Sequence, residues 1–416
     1  MLLVGTFDTK GEEYAFVRSA ILERGCAVLT MDIGVLVGSG ALFPVDVSAE
    51  DVAAAGGASL AELRSAGDRG PAVATMLEGA RVLVKSLFAE RRFDGIIGLG
   101  GGGGTTMITA AMRELPVGVP KVMVSTMASG NTAPYVDVKD ITMMYSVVDI
   151  AGLNPISTRI LGNAAGAICG MVSTTTGEGA SAVVLSAAKD LLVSRPMIAA
   201  TMFGVTTPCV TAARKRLEDA GYDVLVFHAT GSGGRAMEGL IDDGYFAGVL
   251  DVTTTEWCDE VVGGVLSAGP DRLSAAGRAG IPQVVSVGAL DMVNFGGIET
   301  VPPQFKDRRF YKHNATVTLM RTSAEECREI GRRISAQLSK ATGPVVLLLP
   351  VRGVSMLDAE GQAFHDAAAD AVLFQSLKDN APANVTVREI DAHINDSAFA
   401  DVLADTLLEM LKGRRN

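Results

Sequence analysis

One segment constrains this chain more than any other. The apolar run Gly95-Ile96-Ile97-Gly98-Leu99 empties into five consecutive glycines, Gly100–Gly104, and a helix-forming stretch opens at Thr105. A strand that stops at glycines and restarts as a helix is the turn of a βα unit. The pattern recurs. Met1–Val4 is apolar and leads through Gly5-Thr6-Phe7-Asp8-Thr9-Lys10-Gly11 into a helix-like stretch, Glu12–Arg24, and a strand, Ala27–Met31. Gly70–Arg91 reads as a long helix, Lys121–Ser125 as a strand and Gly162–Met171 as a small-residue helix. A second series starts near Pro196, with strands at Met197–Met202, Val224–Phe227, Gly248–Asp251, Val284–Val287 and Val345–Leu349, and a helix at Thr211–Ala220.

The predicted fold class is therefore α/β, with two Rossmann-like doubly wound domains and mostly parallel sheets. The first, 1–190, is expected to bind a nucleotide. The second, 191–416, is expected to hold a substrate or catalytic site. The boundary is placed near Gly177–Pro196, and 416 residues suit two domains. The opening units of the two halves resemble each other, which suggests a shared architecture.

Charge and cysteine content narrow the function. A net charge of −11 disfavours nucleic acid and anionic membrane as partners. The five cysteines are scattered without a C-x-x-C pair, which argues against structural disulfides and thiolate zinc. No apolar run is long enough to span a membrane, and Lys10, Glu12 and Glu13 interrupt the N-terminus where a signal peptide would need apolar residues. A cytoplasmic location is expected.

In open α/β sheets, ligands sit beyond the carboxyl ends of the strands. Applied to the first half, that rule selects three loops. Gly100, Gly101, Gly102, Gly103 and Gly104, with Thr105 and Thr106, present backbone N–H groups and hydroxyls at a helix start, where an anion is favoured. Thr6, Asp8, Thr9 and Lys10 add hydroxyls, a carboxylate for Mg²⁺ and an ammonium for phosphate. Ser125, Ser129 and Gly130 form the third loop. A Walker lysine is absent, and the strand after the glycines ends in Ser125-Thr126 rather than an acid, which demotes a nicotinamide cofactor. The competing reading of the glycines is a tight turn chosen for packing.

In the second half the rule selects His228, Glu256 and Asp291, and His313 beside Arg321 joins them as a catalytic candidate for acid–base or metal-assisted work. Gly231, Gly233, Gly234, Arg235, Thr254, Asn294, Arg321 and Ser355 are candidates for holding a small acidic substrate. No motif here names a reaction. Each lone histidine is as readily a cap or a half-buried polar group.

Several strings taken together resemble one family. They are Gly5–Glu12, Gly98–Thr105, Pro120–Thr126, Gly162–Gly166, Thr201–Pro208, His228–Gly234, Thr253–Glu256 and Asp291–Asn294. The chain is similar to the Tm-one-like ATP-binding family, which includes a plant member that resists tomato mosaic virus by inhibiting viral RNA replication. The resemblance covers nearly the whole chain. It implies two Rossmann-like domains, ATP in the first, and a homodimer or higher homo-oligomer. The family loop carries a serine where this chain has Gly102, and Ser173–Ser194 is longer than the family requires. The favoured expectation is an ATP- and Mg²⁺-binding metabolic enzyme, hydrolase- or lyase-like. A non-catalytic regulator acting through a protein partner is the alternative.

Overall fold

The computed structural model describes residues 1–36, 42–66, 68–176 and 195–413. The expected boundary and most of the 173–194 stretch lie outside the described residues. The chain divides into two compact units, 1–193 and 194–416.

The first unit runs β1 (Leu2–Gly5), α1 (Phe7–Leu22), β2 (Leu29–Asp32), α2 (Ala49–Ala55), α3 (Leu60–Ala66), α4 (Arg69–Ala89), β3 (Ile96–Gly100), α5 (Gly102–Arg113), β4 (Lys121–Ser125), α6 (Ala133–Val136), β5 (Thr142–Tyr145) and α7 (Pro155–Thr176). Its five strands are all parallel, in the order β2-β1-β3-β4-β5. Alternate residues face opposite layers. Leu2, Val4, Ile96 and Met123 pack with Met76, Ala80 and Val84 of α4 and with Ile108 and Met112 of α5. Leu3, Ile97, Leu99 and Val124 pack with Tyr14, Val17 and Ile21 of α1 and with Leu161, Ala165 and Ile168 of α7. Both faces are covered, which is why these strands read as unbroken apolar runs.

The second unit runs β6 (Met197–Met202), α8 (Thr207–Asp219), β7 (Asp223–His228), α9 (Ser232–Asp242), β8 (Gly248–Thr253), α10 (Glu256–Val262), α11 (Ala275–Ala279), β9 (Gln283–Gly288), β10 (Met292–Phe295), β11 (Phe310–Lys312), β12 (Thr318–Arg321), α12 (Ala324–Leu338), β13 (Val345–Pro350), α13 (Ala367–Asp379), β14 (Val385–Ile390) and α14 (Ser397–Lys412). Its main sheet is parallel, in the order β14-β13-β9-β8-β6-β7. One face packs on α12 and α13 through Ile330, Ile334, Leu373 and Leu377. The other packs on α8 and α14 through Val210, Leu217, Phe399 and Leu403.

The two-unit α/β architecture with mostly parallel sheets matches the sequence reading. Four details differ. Helix α1 begins at Phe7 rather than Glu12, so Asp8, Thr9 and Lys10, expected in a loop, lie in its opening turns. Helix α5 begins at Gly102, so the last three of the five glycines are helical rather than loop. Met292–Asn294, expected as a loop, belongs to β10. That strand joins β12 and β11 in a small antiparallel sheet that strand-end reasoning did not anticipate.

Both main sheets share one wiring. The first strand of each unit sits between the second and third, so the chain turns one way and then the other around it. The crevice this creates lies at the carboxyl ends of β1 and β3 in the first unit, and of β6 and β8 in the second.

Candidate functional site

At the β1/β3 crevice the first unit has a cavity of about 720 Å³, within the usual range for small-molecule sites. Its polar side is Thr6, Asp8, Thr9 and Lys10 after β1, Gly101–Gly104 after β3, and Arg64 and Asp68; its apolar side includes Ile33, Val73 and Met107. Two of the three loops nominated from sequence thus meet. The third does not line the cavity. Ser125 is fully buried, and its hydroxyl is 2.7 Å from that of Thr105, so these two hydroxyls satisfy each other and pin α5 to β4. Thr106 Oγ1 donates to the Gly102 carbonyl at 2.9 Å. Ser129 and Gly130 lie exposed in the turn after β4.

The glycines fall into two groups. A Cβ on Gly98 would lie 2.6 Å from Ile108, and one on Gly100 would lie 3.0 Å from Gly104, so packing explains both. A Cβ on Gly101, Gly102 or Gly104 would meet nothing closer than 3.6 Å. None of these three has the positive φ that would itself demand glycine. Packing therefore does not account for them, and their bare backbone faces the cavity. The first N–H groups of any helix lack intrahelical acceptors, and here no side chain caps them.

Around this edge the other polar groups are partly engaged. Lys10, held out of helical geometry at φ −134° and ψ 33°, bonds the Ile150 carbonyl through its ammonium. Asp8 accepts the Leu36 N–H at 2.8 Å through one oxygen, while its Oδ1 is buried without a partner among the described residues. Tyr14 fixes the strand behind the glycines. Its hydroxyl donates to the Leu99 carbonyl at 2.6 Å and accepts the Leu99 N–H at 2.9 Å. Gly5 leaves room for that ring, since a Cβ there would fall 1.8 Å from it.

The second unit arranges its nominated residues differently. Glu256 is 1% exposed and accepts the N–H groups of Gly231 and Gly234 at 2.7 and 3.1 Å. The glycine turn does bind an anion, and the anion is the protein's own carboxylate. Cβ atoms on Gly233 and Gly234 would strike the His228 carbonyl and the Glu256 carboxylate, so close approach explains these glycines. The other Glu256 oxygen accepts from Arg272 Nε at 2.6 Å. Arg272, which sequence reasoning missed, also grips Asp251 at 2.5 and 2.7 Å and Glu238 at 3.3 Å.

Asp291, Ser355 and Arg321 form a second buried group. Ser355 Oγ donates to Asp291 at 2.7 Å, and Arg321 Nη2 donates to Asp370 at 2.5 Å and lies 3.5 Å from Asp358. Burial raises Asp291 and Asp358 to about 6 and Asp370 to about 7, with Arg321 pulling each back. Asn294 on β10 bonds Asp259 twice, through its backbone N–H at 3.0 Å and its side chain at 2.8 Å; burial raises Asp259 to about 7. Thr254 is buried and donates to the Ser286 carbonyl. His228 is exposed at the end of β7, its ring 5.5 Å from that of Phe203. His313 is exposed in the β11–β12 turn, and Arg235 is exposed near the Ser267 carbonyl. The nominated set thus splits into two buried networks and separate surface groups. Arg272, Asp358 and Asp370 lie outside the strand-end positions, so a strand-end search had no means of finding them.

The β6/β8 crevice is filled. Thr206 and Thr253 hydroxyls meet at 2.8 Å, Thr201 donates to Asp251 at 2.7 Å, and all three threonines are fully buried. Among the described residues no group of three or more His, Cys, Asp or Glu is placed to hold a metal by itself, and no helix is long and apolar enough to cross a membrane.

Comparison with known proteins places these features in a family context. Residues 1–177 match the N-terminal domain, and 195–411 the C-terminal domain, of an uncharacterised protein family, UPF0261. A UPF0261 protein of Clostridium tetani is 52% identical over 413 residues, 99% of each chain. One from Mesorhizobium japonicum is 50% identical over 406 residues, 97% of each. The ToMV resistance protein Tm-1 of Solanum lycopersicum is 44% identical over 346 residues, which cover 82% of this chain and 45% of the tomato chain. The solved structure of UDP-N-acetylglucosamine 2-epimerase from Rickettsia bellii aligns over 99% of this chain and 95% of its own at a TM-score of 0.21 and 9% identity, too loosely to bear on chemistry.

Proposed function

The chain belongs to the UPF0261 family, and from that premise we propose that its first unit binds ATP with Mg²⁺ in the β1/β3 crevice. The observation that carries this reading is the set Gly101, Gly102 and Gly104, glycines with room for a side chain, opening a helix at the mouth of a cavity. A bare backbone lets a phosphate approach the N–H groups closely, and the helix dipole favours its charge. Lys10 would exchange the Ile150 carbonyl for a phosphate oxygen. The unpartnered Asp8 Oδ1 suits a hydrated Mg²⁺, which is commonly held by one or two carboxylates together with the phosphates. Ile33, Val73 and Met107 offer an apolar wall to the base.

We read the whole protein as a small-molecule enzyme that uses this nucleotide. The second reading is a nucleotide-dependent regulator that acts through a protein partner. It is favoured by the internal engagement of Glu256 and Asp291, whose carboxylates already serve the fold. Calorimetry with Mg·ATP tests the common premise. Gly102→Val should fold normally and lose at least about tenfold in affinity, roughly 1.4 kcal/mol. Undiminished binding in that variant, or no heat in the parent protein, refutes the nucleotide site. Phosphate release above background then favours the enzyme, and binding without turnover favours the regulator.

A further inference from the structure

A second cavity, of about 600 Å³, opens in the second unit where the chain leaves β13. One wall is a single face of α13, which presents Asp370, Phe374 and Lys378 at four-residue spacing. The facing segment brings Arg352, Glu360 and His365. A helical rise of about 1.5 Å per residue separates the backbones of Asp370 and Lys378 by about 12 Å, so the cavity spans two chemically different regions.

At Asp370 positive charge is in deficit. Asp291, Asp358 and Asp370 are all buried around a single guanidinium, that of Arg321. Oδ1 of Asp291 has no hydrogen-bond donor among the described residues, and the Asp358 and Asp370 carboxyls hydrogen-bond each other. Asp370 is the member of the trio that lines the cavity. Beside it, His365 Nδ1 lies 3.1 Å from the Asp358 carbonyl. A carbonyl can only accept, so Nδ1 donates in that contact and Nε2 of the neutral ring is left as an acceptor. A carboxylate and an imidazole acceptor together suit an ammonium group, which offers three donors.

Around Lys378 the balance differs. Its ammonium spends one donor on Glu389 at 2.7 Å. Arg352 spends two of its five donors on Asp391, at 2.6 and 2.8 Å. Both retain donors for a carboxylate. The lining therefore carries both signs of charge. A dianion would meet Glu360 and Asp370 without compensation, and a diamine would meet Arg352 and Lys378.

We propose that this cavity is a binding site for a small zwitterion, a free amino acid or short peptide, with its ammonium on Asp370 and His365 and its carboxylate on Lys378 and Arg352. Phe374 supplies an apolar surface for a side chain. The site is separate from the nucleotide crevice and does not depend on it.

Calorimetry on the full chain tests this, using the twenty free amino acids and triglycine as probes, with succinate and putrescine as single-sign controls. At least one zwitterion should give saturable heat at or below about 10 mM, and both controls should give none. His365→Gln and Lys378→Met should each weaken that binding by about tenfold or more while urea midpoints stay unchanged. Gly102→Val should leave it intact. Silence from every zwitterion overturns the proposal, as does equal binding in both variants. Preferential binding of succinate or putrescine overturns the assigned ligand class.

Discussion

Replacing Arg272 with methionine should unfold the second unit far more readily, and the structure fixes roughly how much. The guanidinium is 1% exposed and faces Asp251, Glu256 and Glu238. Removing it affects the three carboxylates unequally. Glu256 keeps the amides of Gly231 and Gly234, and Glu238 keeps those of Leu273, Ser274 and Ala275. Among the described residues, Asp251 keeps only the Thr201 hydroxyl. Breaking a buried ion pair from one side costs about 3–5 kcal/mol, and the near-complete stranding of Asp251 puts Arg272→Met at about 4 kcal/mol. With a urea slope of about 2.5 kcal/mol/M, the midpoint falls by about 1.5 M. Trp257 is the sole tryptophan, 3% exposed and adjacent to Glu256, so its fluorescence reports this unit. The sign with pH is also set. Burial already raises Glu238 and Arg272 pulls it back, so without the arginine Glu238 rises further and the folded variant holds a proton that the unfolded chain releases. Stability then falls as pH rises, and the deficit must be smaller at pH 5 than at pH 8. A midpoint shift below about 0.3 M, or a deficit that grows on acidification, refutes the view of Arg272 as the counter-ion of this network.

The parent protein should show a related trend. Asp259 and Asp370 at about 7, and Asp291 and Asp358 at about 6, are all raised by burial, so their contribution is full near pH 4 and is lost through pH 6–7. The Trp257 urea midpoint should decline from pH 5 to pH 8, and Asp259→Asn should flatten the decline; a rising midpoint contradicts this. Tyr14→Phe removes both hydrogen bonds to Leu99 and should cost about 1–2 kcal/mol, visible as faster amide exchange at Leu99 with the rest of β3 protected. Gly98→Ala forces a Cβ against Ile108 and should destabilise by about 1–3 kcal/mol, whereas Gly102→Ala, in a helix with open space, should be neutral or stabilising by up to about 1 kcal/mol. Equal losses in thermal melts of the two variants would remove the distinction between packing glycines and cavity-facing ones.

Periodicity made the strands legible. Lys121–Ser125 and Met197–Met202 are read with their observed ends, because a strand buried on both faces carries a near-continuous apolar run, here Val122–Val124 and Met197–Ala200. Helix starts were less legible. Glycine is a poor helix former, so Gly102–Gly104 read as loop, although tertiary packing of Met107, Ile108 and Ala111 carries the helix through them. The first-unit crevice could be read from strand ends alone, since Thr6–Lys10 and Gly101–Gly104 both follow central strands. The polar networks of the second unit could not. Arg272 meets Asp251 across 21 residues, and Arg321 meets Asp370 across 49. Nothing local in the sequence marks such partners, because the sheet and its crossover helices bring them together.

The identical wiring of the two sheets gives the chain two equivalent doorways, and it has walled up one of them. Behind the wall, Thr201, Thr206 and Thr253 hold hands with one another and with Asp251, so a change there loosens the masonry. At the open doorway there is room for a side chain at Gly102, so a change there leaves the masonry standing and, on the proposed reading, alters what can enter. Natural variants of this chain should therefore sort by location: those at one doorway lowering the amount of folded protein, those at the other lowering occupancy at unchanged amount.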